Sequence, residues 1–340
     1  MKKNILLAFI CLLALHNFAC KSTSQSLPKS DLLFTPAPEA ISDLDVKFAK
    51  DIAYDDHIRA KLDIALPNTS EPTGLLLYIH GGGFINGDKD RVFNDYNLDN
   101  MRSLLKQGVA VASINYSFLL MGGEEEVGVV KCLEDAKRAL QYIRSRSQDF
   151  NINKEDIVIS GSSAGAGASL WVAMQDDMKN ETSPDPVLRE STRVKGVAVI
   201  QTQCSYDIED RWISNVFQDY GINWSMVSTV NATGISQFYG VSNLAEYETP
   251  EIDKYRDNVD MMDFMSKDDP EFWASNTLTP VAPPLSQDII YHHAYHVRAL
   301  KERADEVGLA NVCYYGKDPI LYADPSGETY VDFVIRKLSE

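Results

Sequence analysis

IVISGSSAGAGASL, residues 157–170, is the stretch whose reading decides the fold. Ile157, Val158 and Ile159 form a short apolar run, as in a strand buried on both faces. Gly161-Ser162-Ser163-Ala164-Gly165 follows at once. Beyond it, Ala166 to Met174 is small and then apolar, as in a helix packed close to its neighbours. A serine set between glycines, with a strand before it and a helix after it, sits on a turn sharp enough to strain its backbone. Gly161 and Gly165 leave space where a side chain would strike the adjoining strand or helix. The pattern predicts that the Ser163 hydroxyl stands at the carboxyl edge of a sheet, above a helix N-terminus that favours negative charge. A glycine- and serine-rich turn without chemistry has the same composition. The flanking strand and helix therefore carry the reading, not the five-residue pattern alone.

A second strand, GLLLYIH at 74–80, runs directly into Gly81-Gly82-Gly83-Phe84. Glycines after a strand present bare backbone N–H groups, which acyl transfer needs where the oxyanion forms. With both motifs in view, the chain resembles the α/β-hydrolase superfamily, specifically the bacterial carboxylesterases similar to hormone-sensitive lipase. The resemblance covers residues from about 44 to the C-terminus and is strongest between Leu75 and Val172. It implies an α/β-hydrolase fold, with a mainly parallel central sheet, helices on both faces and a lid insertion. It also implies cleavage of a carboxylic ester, small or polymer-linked, through an acyl-enzyme on Ser163, with no cofactor. Gly82, Gly83 and Ala164 are then the oxyanion donors, and His80 is a structural residue of the loop.

Alternating elements support that architecture. Residues 46–54 and 60–66 read as a hairpin, 109–115 as a buried strand, 127–144 as a helix and 194–200 as another strand. Residues 201–269 break the pattern. They are polar and aromatic, with Trp212, Phe217, Tyr220, Trp224, Phe238 and Tyr239, and are expected to form a lid over about 204–268. A strand over 271–275, a long helix over 291–307, a last strand over 311–315 and a final helix over 330–338 complete the expected domain, 44–340.

In this fold the serine is followed by an acid and then by a histidine. The acid position after the 271–275 strand falls on Pro280, which leaves Asp288 as a displaced acid or as a helix N-cap. The loop after the 311–315 strand, where the resemblance places the base, holds no histidine, and none follows. His292, His293 and His296 crowd the start of the preceding helix, at the same edge of the sheet as Ser163. A base relocated to His292 or His293, oriented by Asp288, is therefore expected. His293 shares the buried side with Ile290, Ala294, Val297 and Leu300, so a core histidine is its plainer reading. Asp288, His292 and His296 at i, i+4 and i+8 also have metal-ligand spacing, but no further ligand accompanies them. Failing an imidazole, Asp318, Tyr322 and Asp324 of the histidine-less loop remain as acceptors. Failing all of these, the chain is a decayed hydrolase kept for binding.

The whole chain sets bounds. A length of 340 residues suits one such domain with insertions. A net charge of −17 and no basic patch exclude nucleic acid as an expected partner. Lys2-Lys3, the apolar run 5–15 and Ala19 before Cys20 read as an export signal over 1–19, with lipidation at Cys20 and a Ser/Pro-rich tether over 20–43. The expected location is outside the cytoplasm, with the protein held to a membrane on the periplasmic or cell-surface side. Cys132, Cys204 and Cys313 lie in apolar elements and read as buried thiols rather than a disulfide framework.

Overall fold

The structure is a computed structural model that describes residues 32–94, 97–119, 128–279, 281, 283, 286–317 and 321–340. The expected export signal, Cys20 and Asp318 lie outside the described residues. Ten strands form one sheet: β1 (Phe34–Thr35), β2 (Val46–Ala53), β3 (Lys61–Pro67), β4 (Thr73–Ile79), β5 (Ala110–Ile114), β6 (Ile152–Ser162), β7 (Gly196–Ile200), β8 (Phe272–Asn276), β9 (Asn311–Tyr315) and β10 (Tyr322–Ala323). Their order is β1-β2-β3-β5-β4-β6-β7-β8-β9-β10. The run from β5 through β9 is parallel, while β1, β2, β3 and β10 pair antiparallel at the two sides. This is the α/β-hydrolase architecture that the two glycine motifs imply.

The central strands are apolar throughout because both faces are covered. Along β4, Leu75, Leu77 and Ile79 enter one core, while Leu76 and Tyr78 enter the other. On the first face lie α2 (Val129–Ser145), through Leu133, Ala136 and Leu140, and α3 (Ala164–Met174), buried along its whole length. On the second lie α1 (Leu98–Lys106), through Met101 and Leu104, and α6 (Tyr330–Ser339), through Phe333 and Val334. Each such leucine or phenylalanine removed from water contributes roughly 1.5–3 kcal/mol, so the two layers hold the sheet between them.

Three boundaries differ from the sequence reading. The expected tether, 20–43, gives way to folded structure early: β1 pairs with β2, and Ile41 is buried in the second core. A short strand, β10, follows the one expected to be last and closes the sheet edge beside β9. The long helix expected over 291–307 is two helices, α4 (Gln287–His292) and α5 (Tyr295–Val307), separated at His293, whose ψ of 138° is extended.

Between β7 and β8 the chain leaves the sheet as a series of short helices. They include a π-helix at Ile208–Val216, then Trp224–Val230, Ala232–Phe238, Pro250–Asn258 and Met261–Phe264. Arg256 ties this insertion together, placed 2.9 Å from Asp207 and 2.6 Å from Asp210. Trp171 of α3 donates its indole N–H to Asn258 O at 2.8 Å and anchors the insertion to the core.

Candidate active site

Ser163 occupies the turn between β6 and α3 with φ 51° and ψ −121°, a left-handed conformation that a serine holds only under constraint. Such a residue stores about 1–3 kcal/mol, so the surroundings must fix it. They do so through its N–H, bonded to Ile200 O at 3.1 Å, and its carbonyl, which accepts from Ala166 N and Gly167 N at 2.9 and 3.1 Å. Gly165 lets α3 approach β4, since a Cβ there would stand 2.1 Å from Ile79 O. The Tyr206 hydroxyl then donates to Ala164 O at 2.8 Å from the base of the insertion.

The structure brings three of the expected side chains into one chain of contacts. Ser163 Oγ lies 2.9 Å from His292 Nε2, and His292 Nδ1 lies 2.9 Å from Asp288 Oδ1. With Asp288 ionised, Nδ1 carries the proton and Nε2 is the acceptor for the serine hydroxyl. Asp288 and His292 stand four residues apart on α4 and so meet on one face of it. The capping role weighed for Asp288 is taken by Ser286, whose hydroxyl accepts from Ile289 N. Asp288 is thereby left to face the imidazole. Its side chain is 74% exposed against 19% for His292, so the carboxylate meets the imidazole at the solvent edge rather than in a dry pocket.

The other candidate base, His293, is placed elsewhere. It is fully buried at the break between α4 and α5, with Nε2 at 3.0 Å from the Tyr220 hydroxyl and Nδ1 accepting from Tyr295 N at 3.1 Å. That break corrects the expectation that His293 serves Ser163. The extended ψ at His293 turns its ring toward the insertion, while His292, the last helical residue, keeps the register of Asp288. The same break removes His296 from the Asp288 face. Its Nε2 donates to Ile290 O at 2.9 Å, and its Nδ1 accepts from Cys204 N at 3.3 Å. Among the described residues no group of three His, Cys, Asp or Glu side chains is arranged to hold a metal ion. Asp324 accepts from Ser326, and Tyr322 stacks on Tyr315.

His80 is buried, stacks on Tyr116 with centroids 4.4 Å apart, and donates Nδ1–H to Gly81 O at 2.7 Å. Burial lowers its pKa from 6.5 to about 4, and that of His296 to about 3. Both rings are neutral when folded but accept a proton near pH 6.5 once unfolded. Below pH 6.5 the unfolded chain binds more protons, so stability falls as the pH drops toward the folded values. Each ring is expected to cost roughly 3 kcal/mol by pH 4. Melting curves from pH 7 to pH 4.5 check this. His296→Gln should start less stable yet lose less over that interval, and an equal loss would reject the buried neutral imidazole as the cause.

The glycine loop folds back on itself, with Gly82 O accepting from Ile85 N and Asn86 N, both at 3.1 Å. Gly82 has φ 122°, and a Cβ there would lie 2.0 Å from Asn86 O, so the turn closes only on glycine. Gly83, Ser163 and Ala164 border a common cavity of about 360 Å³. Gly82 sits one residue behind its wall. The insertion forms the opposite wall through Ile208, Trp212, Ile235 and Phe238, with Phe84, Leu119 and Tyr291 between. This mostly apolar chamber lies directly beside Ser163, with Gly83 of the glycine loop in its wall.

The sequence reading missed Gln203, Tyr206 and Asn276, which touch or support this site. Single amides and a tyrosine beside a strand end carry no periodic or motif signal. Only their position at the carboxyl edge of β7 and β8 marks them.

The comparisons with known proteins agree with the fold. The BD-FAE family model matches residues 62–281. Gut esterase 1 of Caenorhabditis elegans is 28% identical over 148 residues, 42% of this chain and 26% of its own length. The acetyl esterase of Salmonella typhi is 30% identical over 110 residues, 31% of this chain and 30% of its own. The chain thus spans less than a third of either curated relative. A truncated form of a carbohydrate esterase from gut microbiota superposes with a TM-score of 0.60 at 18% identity, over 86% of this chain and 96% of that one.

Proposed function

The chain belongs to the BD-FAE family, and from that membership we propose that it is a serine esterase that cleaves carboxylic esters through an acyl-enzyme on Ser163. The observation that carries the reading is the continuous contact Ser163–His292–Asp288, 2.9 Å at each step. A serine hydroxyl is a poor nucleophile until a base takes its proton. Here His292 Nε2 removes that proton as Oγ attacks the ester carbonyl, and the resulting oxyanion turns toward the N–H groups of Gly82, Gly83 and Ala164. Collapse breaks the C–O bond, and the imidazolium returns the proton to the leaving alcohol. Water then repeats the cycle on the acyl group, with His292 again as base. Small-molecule or polymer-linked esters are the substrate class, and no cofactor is needed. A decayed hydrolase kept for binding needs no imidazole beside its serine, which makes the His292 contact the point of difference. The test is incubation with a fluorophosphonate probe. Labelling on the Ser163 peptide supports the mechanism, and labelling unchanged in Ser163→Ala rejects it.

We propose further that the protein lies outside the cytoplasm, anchored by a lipid on Cys20. The support is the sequence Lys2-Lys3, the apolar run 5–15 and the small residue before Cys20. Fractionation of cells is expected to find the protein with membranes and Cys20→Ala in the soluble fraction. A wild type found wholly soluble rejects the anchor.

A further inference from the structure

α4 is only six residues long, too short to persist without outside support, yet it carries both Asp288 and His292. Its end leaves the carbonyls of Tyr291 and His292 without the N–H groups of a further turn, while His293 O accepts from His296 N at 3.0 Å. Two side-chain amides from other elements reach this end. Gln203, just beyond β7, donates Nε2–H to Tyr291 O at 2.7 Å. Asn276, the last residue of β8, donates Nδ2–H to His293 O at 3.1 Å and lies 3.5 Å from His292 O. Asn276 is itself fixed, fully buried, by the peptide of Thr202. Its Oδ1 accepts from Thr202 N at 2.8 Å, and Nδ2 donates to Thr202 O at 2.9 Å. The amide pairs with that peptide as a neighbouring strand would, and joins the sheet edge to the end of α4.

We infer that Asn276, assisted by Gln203, is the positioning residue for the base: it holds the carboxyl end of α4 against β7 and β8, so that the His292 ring stands at Ser163. The inference rests on the assignment of His292 as the base. Gln203 borders the cavity, so its replacement would also disturb substrate. Asn276 does not border it, which makes it the cleaner probe. A shift of about 1 Å in a reacting group costs on the order of 10²-fold in rate, with little change in substrate binding.

The experiment measures kcat and KM for p-nitrophenyl acetate, with melting temperatures, in wild type, Asn276→Ala, Asn276→Asp, His292→Ala and the double variant Asn276→Ala/His292→Ala. Asn276→Ala is expected to lose roughly 10- to 100-fold in kcat with KM within about twofold. In the His292→Ala background the same change should cost less than about twofold, because there is no longer a base to position. Asn276→Asp retains the acceptor for the Thr202 N–H but turns a carboxylate toward three carbonyls. It should lose at least as much kcat, and it serves as the reporter if the alanine variant does not fold. A folded Asn276 variant with wild-type kcat overturns the inference, as does an equal loss with and without His292. If His292→Ala alone keeps the wild-type rate, the base assignment fails first, and the inference falls with it by a distinguishable result.

Discussion

His292→Ala is expected to lower kcat/KM for a short-chain aryl ester by about 10²–10⁴, the contribution of a positioned general base. That is roughly 3–5 kcal/mol of transition-state stabilisation. The expectation follows from position, since the His292 ring meets Ser163 Oγ at one nitrogen and Asp288 at the other. His293 and His296 are engaged with Tyr220, Tyr295, Ile290 and Cys204, and His80 with Gly81 and Tyr116. His293→Ala should therefore lower the melting temperature through a lost buried ring while leaving kcat within a few-fold in the folded fraction. Asp288→Asn should cost less than His292→Ala. An exposed i, i+4 pair contributes only about 0.3–0.5 kcal/mol, so its main effect is on the tautomer and orientation of the ring. Hydrolysis surviving in His292→Ala but lost in folded His293→Ala would move the base to the buried ring and refute the arrangement described.

Ser163→Ala is expected to have the larger effect, a loss of roughly 10⁴-fold or more in kcat together with every trace of probe labelling. Alanine removes the attacking atom but keeps the backbone of the turn, which is held by Ile200 O and by the two N–H groups of α3. The melting temperature should consequently change little, and lost activity can be assigned to chemistry. What residual rate remains comes from the oxyanion donors and the cavity, which hold an ester in place without attacking it. Rapid mixing offers a second measurement. An initial burst of p-nitrophenol, equal to the enzyme present, marks an acyl-enzyme in wild type and should vanish in the variant. Ester hydrolysis at an unchanged rate in Ser163→Ala would end the serine mechanism.

The parts of this site that were readable from the sequence are those whose chemistry is local. The Ser163 turn needs a strand before it, a helix after it and glycines around it, and all of these are contiguous. The glycine loop after β4 is equally local. The cluster Asp288, His292 and His293 could be placed at the correct edge by topology, but spacing could not choose between the two imidazoles. That choice depends on where α4 stops. A continuous amphipathic helix and a helix broken at His293 have the same apolar periodicity here, because Ile290, Ala294, Val297 and Leu300 are buried in either case. The break is accompanied by tertiary hydrogen bonds from Gln203 and Asn276, two polar residues whose partners lie 88 and 17 positions away. β1 and β10 escaped notice for a similar reason. At two residues each they are too short for an alternating pattern, and pairing alone defines them.

The sharing of α4 by Asp288 and His292 has a consequence for how this machinery can move and change. When acid and base come from separate loops, any displacement of one loop parts them, and reassembly demands two independent searches. Here both stand on one six-residue helix: on the proposed mechanism, any swing of that helix would carry imidazole and carboxylate together and keep their i, i+4 register. On the proposed mechanism, neither member of the pair comes from the segment after β9. The constraint falls instead on the segment from Ser286 to His293 and on the two amides, Gln203 and Asn276, that hold its end.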